Sequence, residues 1–363
     1  MSKLRFKTDT QSLTFGHLTV WAMILTPVLM VFSATPSQAG LAAKMSNELA
    51  SPSRRAPIDA RPLKPKLSTL LSPSSPNSVP AVAPASIAKR PAILISGILN
   101  ELKRGRYFAE AYTALKQEMG FASVQAIYPS SLISVSDNSE ILTQSLFRED
   151  GAIVIAHSKG GAESLLAVLH HPNLILDGHI DRLVLVQAAI GGSPLANAIV
   201  DGAEWDDLLA PNPLAHLLGQ WKGLRSLRPQ VIQPLFREAL SDCAKRLTAK
   251  QFQMLSDRIF YVRGSQYFNP ALPFSDHNQL AALAVPTGAY LDRFNDRHFA
   301  NVAEGDNDGF VIERDQKLDG IGVDLGILYA DHFDLFEQVA TSNASPLVER
   351  AFIRAVVREI AVR

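Results

Sequence analysis

Ser158 stands between His157 and Lys159, and Gly160 and Gly161 follow at once. The residues before it, Ala152 to Ala156, are apolar and mostly β-branched, which reads as a buried parallel strand. The residues after it place Ala162, Leu165, Leu166 and Leu169 on one helical face. A serine on a one-residue bend between strand and helix is the arrangement of a nucleophile elbow, small-x-Ser-x-Gly, with Ala156 in the place of the first glycine. Small residues are needed there because a strained serine backbone, holding the hydroxyl clear of the sheet, makes larger side chains two positions away collide. The helix N-terminus adds amide N–H groups and a positive dipole end where an oxyanion would form. The chemistry this predicts is acyl transfer through serine. The competing reading is a tight turn with a capping serine.

A nucleophilic serine needs a base, and the base needs an orienting carboxylate. On a strand–turn–helix elbow their order along the chain is serine, acid, histidine. The chain has 9 histidines. His17 lies in an N-terminal leader, and His157 adjoins the serine. His170, His171 and His179 lie on or after the elbow helix, His216 in a helical insert, and His277 and His298 in loops. His332 is the one near the C-terminus in a loop before a helix, in Tyr-Ala-Asp-His-Phe-Asp-Leu. Upstream of it, Asp306 and Asp308 in Glu-Gly-Asp-Asn-Asp-Gly-Phe-Val-Ile both qualify as the acid, at a strand end that turns on Gly309.

The surrounding elements alternate strand and helix, which predicts a mostly parallel central sheet flanked by helices. Strands are expected at 92–96, 122–127, 152–156, 182–187 and 259–262. A helix with Phe108, Ala111, Tyr112, Leu115 and Met119 on one face should end at Gly120, and Asp137 with Glu140 should cap another that runs to Phe147. Gly97 ends the first strand, where such a sheet supplies one oxyanion donor. Ile98 is the expected donor from that loop, and the Lys159 amide, directly after the serine, is the other. The basic residues Lys103, Arg104 and Arg106 read as a solvated loop, with contact to anionic lipid headgroups as the sharper alternative.

Residues 201–258 separate two expected strands by more chain than one crossover helix needs. Leu214, Leu217, Leu218 and Trp221 form one apolar stripe and Trp205, Leu208 and Leu209 another. The segment is expected to be a helical cap over Ser158, with Trp205, Leu209, Leu217 and Trp221 lining an acyl pocket. The alternative is that both stripes pack on the core.

The first 39 residues read as a secretory signal peptide. They carry a basic start at Lys3, Arg5 and Lys7, an apolar run from Leu18 to Phe32, and small residues at Ser37 and Ala39. The protein is therefore expected to be exported, with an uncleaved N-terminal anchor as the rival. Residues 40–89 are rich in Pro, Ser and Ala without an apolar period and read as a disordered tether. Residues 90–363 are the folded domain. The formal net charge of the 363-residue chain is +0, which gives no support for a nucleic-acid partner. The single cysteine, Cys243, excludes an intrachain disulfide and reads as a small buried hydrophobe.

Taken in order, several strings resemble the true bacterial lipases of the α/β-hydrolase superfamily. They are Ala156-His-Ser-Lys-Gly-Gly161, Gly192-Ser-Pro-Leu-Ala-Asn197, Gly223-Leu-Arg-Ser-Leu227, Asn307-Asp-Gly-Phe-Val311 and Asp331-His-Phe-Asp334. The likeness spans roughly Ala92 to Val339. It implies an α/β-hydrolase fold and a serine carboxylester hydrolase acting on a lipid or small ester. It also places the acid directly before Gly-Phe-Val, so that Ser158, Asp308 and His332 form the triad. The chain departs from the family at the oxyanion strand end, which is Ser96-Gly97 in place of His-Gly. Aspartates matching the family's calcium site are found near His332, at Asp331 and Asp334, but Asp292 and Asp296 upstream are placed by no motif. Neither metal nor organic cofactor is therefore expected. An acyltransferase or thioesterase on the same triad, and an exported binding module without catalysis, are the alternatives.

Overall fold

The computed structural model describes residues 85–98, 100–102, 107–201, 219–265, 307–329, 332 and 345–363. Parallel strands order as β2-β1-β3-β4-β5-β6. They are β1 Pro91–Ile95, β2 Ser123–Ile127, β3 Ala152–His157, β4 Ile180–Val186, β5 Ile259–Ser265 and β6 Val323–Tyr329. The chain runs outward from β1 to β2, then crosses back to pair β3 on the other side of β1. That reversal opens a crevice at the carboxyl ends of β1 and β3, the place where open parallel sheets bind ligands. Gly97 and Ser158 follow those two strand ends.

Strands β1, β3, β4 and β5 are apolar because both faces are covered, while edge strand β2 buries none of its residues. Along β3, Ala152, Val154 and Ala156 enter one core, and Ile153 and Ile155 enter the other. On the first face lie α2 Val135–Leu146 and α3 Ser158–His170, which pack on each other. On the second lies α1 Ala109–Thr113, continued by a π-helical turn over Ala114–Glu118, with α9 Ser345–Ala361 packed against both. Further helices among the described residues are α4 Asn173–Leu176, α5 Pro194–Asp201, α6 Lys222–Ser226, α7 Pro229–Arg246 and α8 Ala249–Ser256.

The structure differs from the sequence expectations in several places. A short helix, Ala85–Ala88, precedes β1, and Ile87 is buried in the core, so ordered chain begins upstream of the expected boundary at 90. Helix α2 is capped by the Ser134 hydroxyl, which accepts from the Asp137 amide, and not by Asp137. Tyr112 is exposed while Phe108, Ala111, Leu115 and Met119 are buried. Edge strand β6 was not expected: Asp324 and Gly326 interrupt its apolar run.

Of the segment 201–258, the structure describes Asp201 and residues 219–258. Helix α7 buries Ile232, Phe236, Ala239 and Cys243 and packs against α3, while α8 packs against α4. Helix α7 is a layer of the fold, because its apolar stripe finds the elbow helix α3. Trp205, Leu209 and Leu217 lie outside the described residues, as do Lys103, Arg104, Arg106, Asp306 and the segments 1–39 and 40–84. Among the described residues, no helix is long and apolar enough to cross a membrane.

Candidate active site

Ser158 is the first residue of α3 and has a φ of 56°. A non-glycine residue in this left-handed region costs about 1–3 kcal/mol, so the surroundings must enforce it. They do so by close approach. A Cβ on Gly160 would lie 2.2 Å from the backbone oxygen of Ser96, and one on Gly161 would lie 2.6 Å from Cβ of Ala188. The small residues after the serine are thus demanded by the β1 end and by the loop after β4. The first amides of α3, including that of Lys159, begin a helix and have no intrahelical acceptor.

Asp308 sits in a tight loop closed by one antiparallel bridge between Asn307 and Ile312. Gly309 turns this loop with a φ of 96°. The Asp308 carboxylate is fully buried and accepts through Oδ1 from the amides of Phe310 at 3.0 Å and Val311 at 2.8 Å. Its Oδ2 accepts from Gln316 Nε2 at 3.2 Å. Gln316 is itself tied to both backbone groups of Gly264 at the end of β5, at 2.6 and 2.9 Å. Accepting from several N–H groups satisfies a buried carboxylate that would otherwise be costly.

His332 follows β6, and its amide donates to the Asp308 carbonyl at 2.8 Å. Its Nδ1 lies 2.8 Å from Asp308 Oδ2, and its Nε2 lies 2.7 Å from Ser158 Oγ. The ring is held between others. Phe310 stacks on it at 5.2 Å, and the His157 ring lies 4.8 Å away. Nδ1–H therefore donates to the carboxylate, and Nε2 is left to accept from the serine hydroxyl. Ser158, His332 and Asp308 are brought together in one chain of hydrogen bonds.

Ile98 follows Gly97 and packs half-buried against the core. Gly97 lies hard against the nucleophile: a Cβ on it would be 2.6 Å from Ser158 Cβ. Trp221 is the N-cap residue of α6 and half-buried, and α6 packs its Gly223 close to the carbonyls of Ser131 and Ile133 after β2. Lys159 does more than the sequence suggested. Its buried ammonium pairs with Glu163 one turn later and donates to the Ser130 carbonyl at 3.2 Å. Asn138 also donates to Glu163, at 2.7 Å. Burial raises the Glu163 pKa to about 7, against the opposing pull of Lys159 and Asn138. The Lys159–Glu163 spacing of four was legible in the sequence; the parts played by Gln316 and Asn138 carried no local signal. No cluster of three or more His, Cys, Asp or Glu is disposed to hold a metal ion among the described residues. Asp292, Asp296, Asp331 and Asp334 lie outside them.

No protein-family model matches the chain, and no curated protein does. Solved structures do. A metagenomic carboxyl esterase shares 17% identity over 83% of this chain and 91% of its own, with a TM-score of 0.49. Phospholipase PlaB from Legionella pneumophila shares 14% over 55% of this chain and 42% of its own, with a TM-score of 0.34. An esterase from Exiguobacterium antarcticum shares 14% over 52% of this chain and 77% of its own, with a TM-score of 0.27. The chain's own geometry identifies its fold. The sheet reverses beside β1, the serine bends out after β3, and later loops return an aspartate and a histidine to the same edge. What these build together is the α/β-hydrolase fold.

Proposed function

We propose that this protein is a serine carboxylester hydrolase of lipase or esterase type. The observation that carries the reading is the unbroken run from Ser158 Oγ through His332 to Asp308, at 2.7 and 2.8 Å. In the cycle, Nε2 of His332 takes the Ser158 proton as Oγ attacks the ester carbonyl. Asp308 holds the ring and stabilises the imidazolium. The Lys159 and Ile98 amides receive the oxyanion. The imidazolium then protonates the leaving alcohol, and the C–O bond to it breaks. Water, deprotonated by the same nitrogen, attacks the acyl-enzyme and releases the acid and free Ser158.

Labelling by a fluorophosphonate tests this directly. The full-length protein should be modified at Ser158 with loss of p-nitrophenyl ester hydrolysis. An unlabelled Ser158 in folded protein that turns over no ester would overturn the reading. Apolar acyl esters are the preferred class, and Trp221 is the described residue proposed to touch the acyl chain. Trp221→Ala should weaken long-chain esters relative to acetate by about 1–3 kcal/mol in transition-state binding. Equal losses on both would show that Trp221 supports only the fold. Export completes the reading: N-terminal sequencing of the mature protein should begin near Gly40, and recovery of Met1 or Ser2 would exclude cleavage.

A further inference from the structure

A second set of buried polar contacts lies beside the triad and takes no proton in the cycle. It centres on Gly97. Its amide donates to the Tyr107 hydroxyl at 2.9 Å. Its carbonyl accepts from Asn100 Nδ2 at 3.0 Å, and the same nitrogen donates to the Pro129 carbonyl at 2.6 Å. Tyr107 and Asn100 are both buried. The tyrosine ring packs edge-on against Phe108 at 4.8 Å.

The direction of each bond follows from chemistry. A backbone N–H can only donate, so the Tyr107 oxygen accepts from Gly97; Gln187 Oε1 can only accept, so the His157 ring proton sits on Nε2, and Nδ1 accepts the Tyr107 proton at 2.5 Å. His157 then carries its proton on Nε2, which donates to Gln187 Oε1 at 3.2 Å. Burial pushes the Tyr107 pKa up, so the hydroxyl stays protonated and the chain keeps its direction.

Gly97 needs such anchoring. It must be glycine, because a Cβ would lie 2.6 Å from Ser158 Cβ and 2.7 Å from the Tyr107 oxygen. Glycine is also the residue whose backbone is least restricted by its own sterics. The amide of Gly97 is committed to Tyr107, so the donor this loop offers an oxyanion comes from the next peptide. That peptide contains the Gly97 carbonyl, which Asn100 holds, and the Ile98 N–H, which points the opposite way across a trans bond.

We propose that Tyr107 and Asn100 are positioning residues for the oxyanion hole, clamping Gly97 from both sides so that the Gly97–Ile98 peptide is fixed before substrate arrives. This rests on the serine hydrolase reading above. Such preorganisation matters because a donor displaced by about 1 Å forfeits much of its effect on the transition state.

The test uses Tyr107→Phe, which keeps the ring, and Asn100→Leu, which keeps the volume. Rates are expressed per fluorophosphonate-titrated serine, so misfolded protein does not count. Each variant should lose about 10–100-fold in kcat with little change in KM. Inhibition by a trifluoromethyl ketone, whose adduct carries the oxyanion, should weaken by the same factor. The double variant should lose less than the product of the single losses, because both act on one peptide. Should Tyr107→Phe fail to fold, Asn100→Leu tests the other side alone. In the unaltered protein the Gly97 amide should exchange slowly with solvent, and rapid exchange would exclude the clamp. Unchanged kcat and ketone affinity in an active enzyme would overturn the clamp and leave the hydrolase reading intact. A wild-type protein without a titratable Ser158 would overturn the hydrolase reading itself.

Discussion

Ser158 is held by the sheet, whereas Asp308 and His332 are held by loops. On the nucleophile side, the β1 end, α3 and the loop after β4 meet so tightly that Gly160 and Gly161 have no room for a methyl group. Strain at a φ of 56° is enforced by that packing. On the acid–base side, strand ends lie behind the residues, but side-chain and backbone hydrogen bonds do the fixing. Asp308 takes two amides and Gln316, and the His332 amide is tied to the Asp308 carbonyl. The nucleophile therefore gains its geometry from excluded volume, and its partners gain theirs from polar satisfaction. Damage to the first should appear mainly as lost stability, and damage to the second mainly as lost rate.

The largest effect tests whether the two sides work as one unit. Ser158→Ala and His332→Ala should each lower kcat by roughly 10⁴–10⁶-fold, and the double variant should be little worse than either. Additive losses in steady-state kinetics would separate the two sides. Next comes Asp308→Asn, expected to cost about 10³–10⁴-fold in kcat with the melting temperature nearly kept. A harmless Asp308→Asn would remove it from the acid role.

The contrast sharpens with one substitution on each side. Gly160→Ala drives a methyl group to within 2.2 Å of the Ser96 oxygen, and should destabilise the fold by about 1–3 kcal/mol or more in denaturant titration. Gln316→Leu removes a donor to Asp308 and should lower kcat about tenfold at unchanged KM. If Gly160→Ala changed only rate and Gln316→Leu only stability, the division drawn above would be reversed.

The smallest effect lies away from the site. Glu349 on α9 is buried and accepts from the Ala111 amide, and desolvation raises its pKa from 4.5 to about 8, with the amide opposing. A raised folded pKa means that the folded state binds the proton more tightly. Its contribution to stability is full below pH 4.5 and is lost as pH rises through about 8. Glu349→Gln keeps an acceptor for Ala111 without the charge. It should raise the melting temperature at pH 9 by roughly a few degrees and change it little at pH 4. A parallel pH dependence in both proteins would refute the assignment.

Local order along the chain made the nucleophile side legible. An apolar strand, a serine, paired glycines and an amphipathic run all lie within Ala152–Leu169. Their meaning depends on strand and helix periodicity, which neighbours alone establish. The strands from β1 to β5 were readable for the same reason. Strand β6 was not, since Asp324 and Gly326 break its pattern and pairing with β5 supplies what the pattern lacks.

Read along the chain alone, residue order specifies the alternation that leads to a parallel sheet, the elbow at Ser158, and the short set of residues from which its partners could come. It left Asp306 and Asp308 equal on chemistry, with the family resemblance favouring Asp308. The folded chain settles that Asp308 faces His332, that Gln316 and Gly264 brace it, and that α7 lies on α3. It alone brought Tyr107 and Asn100 to the two sides of Gly97. The physical reason is range. Periodicity and turn chemistry act between residues a few positions apart, so they can be read along the chain. A buried hydrogen bond such as that between His332 and Ser158 joins residues 174 positions apart, and nothing in either neighbourhood specifies the other until the sheet has brought both to one edge.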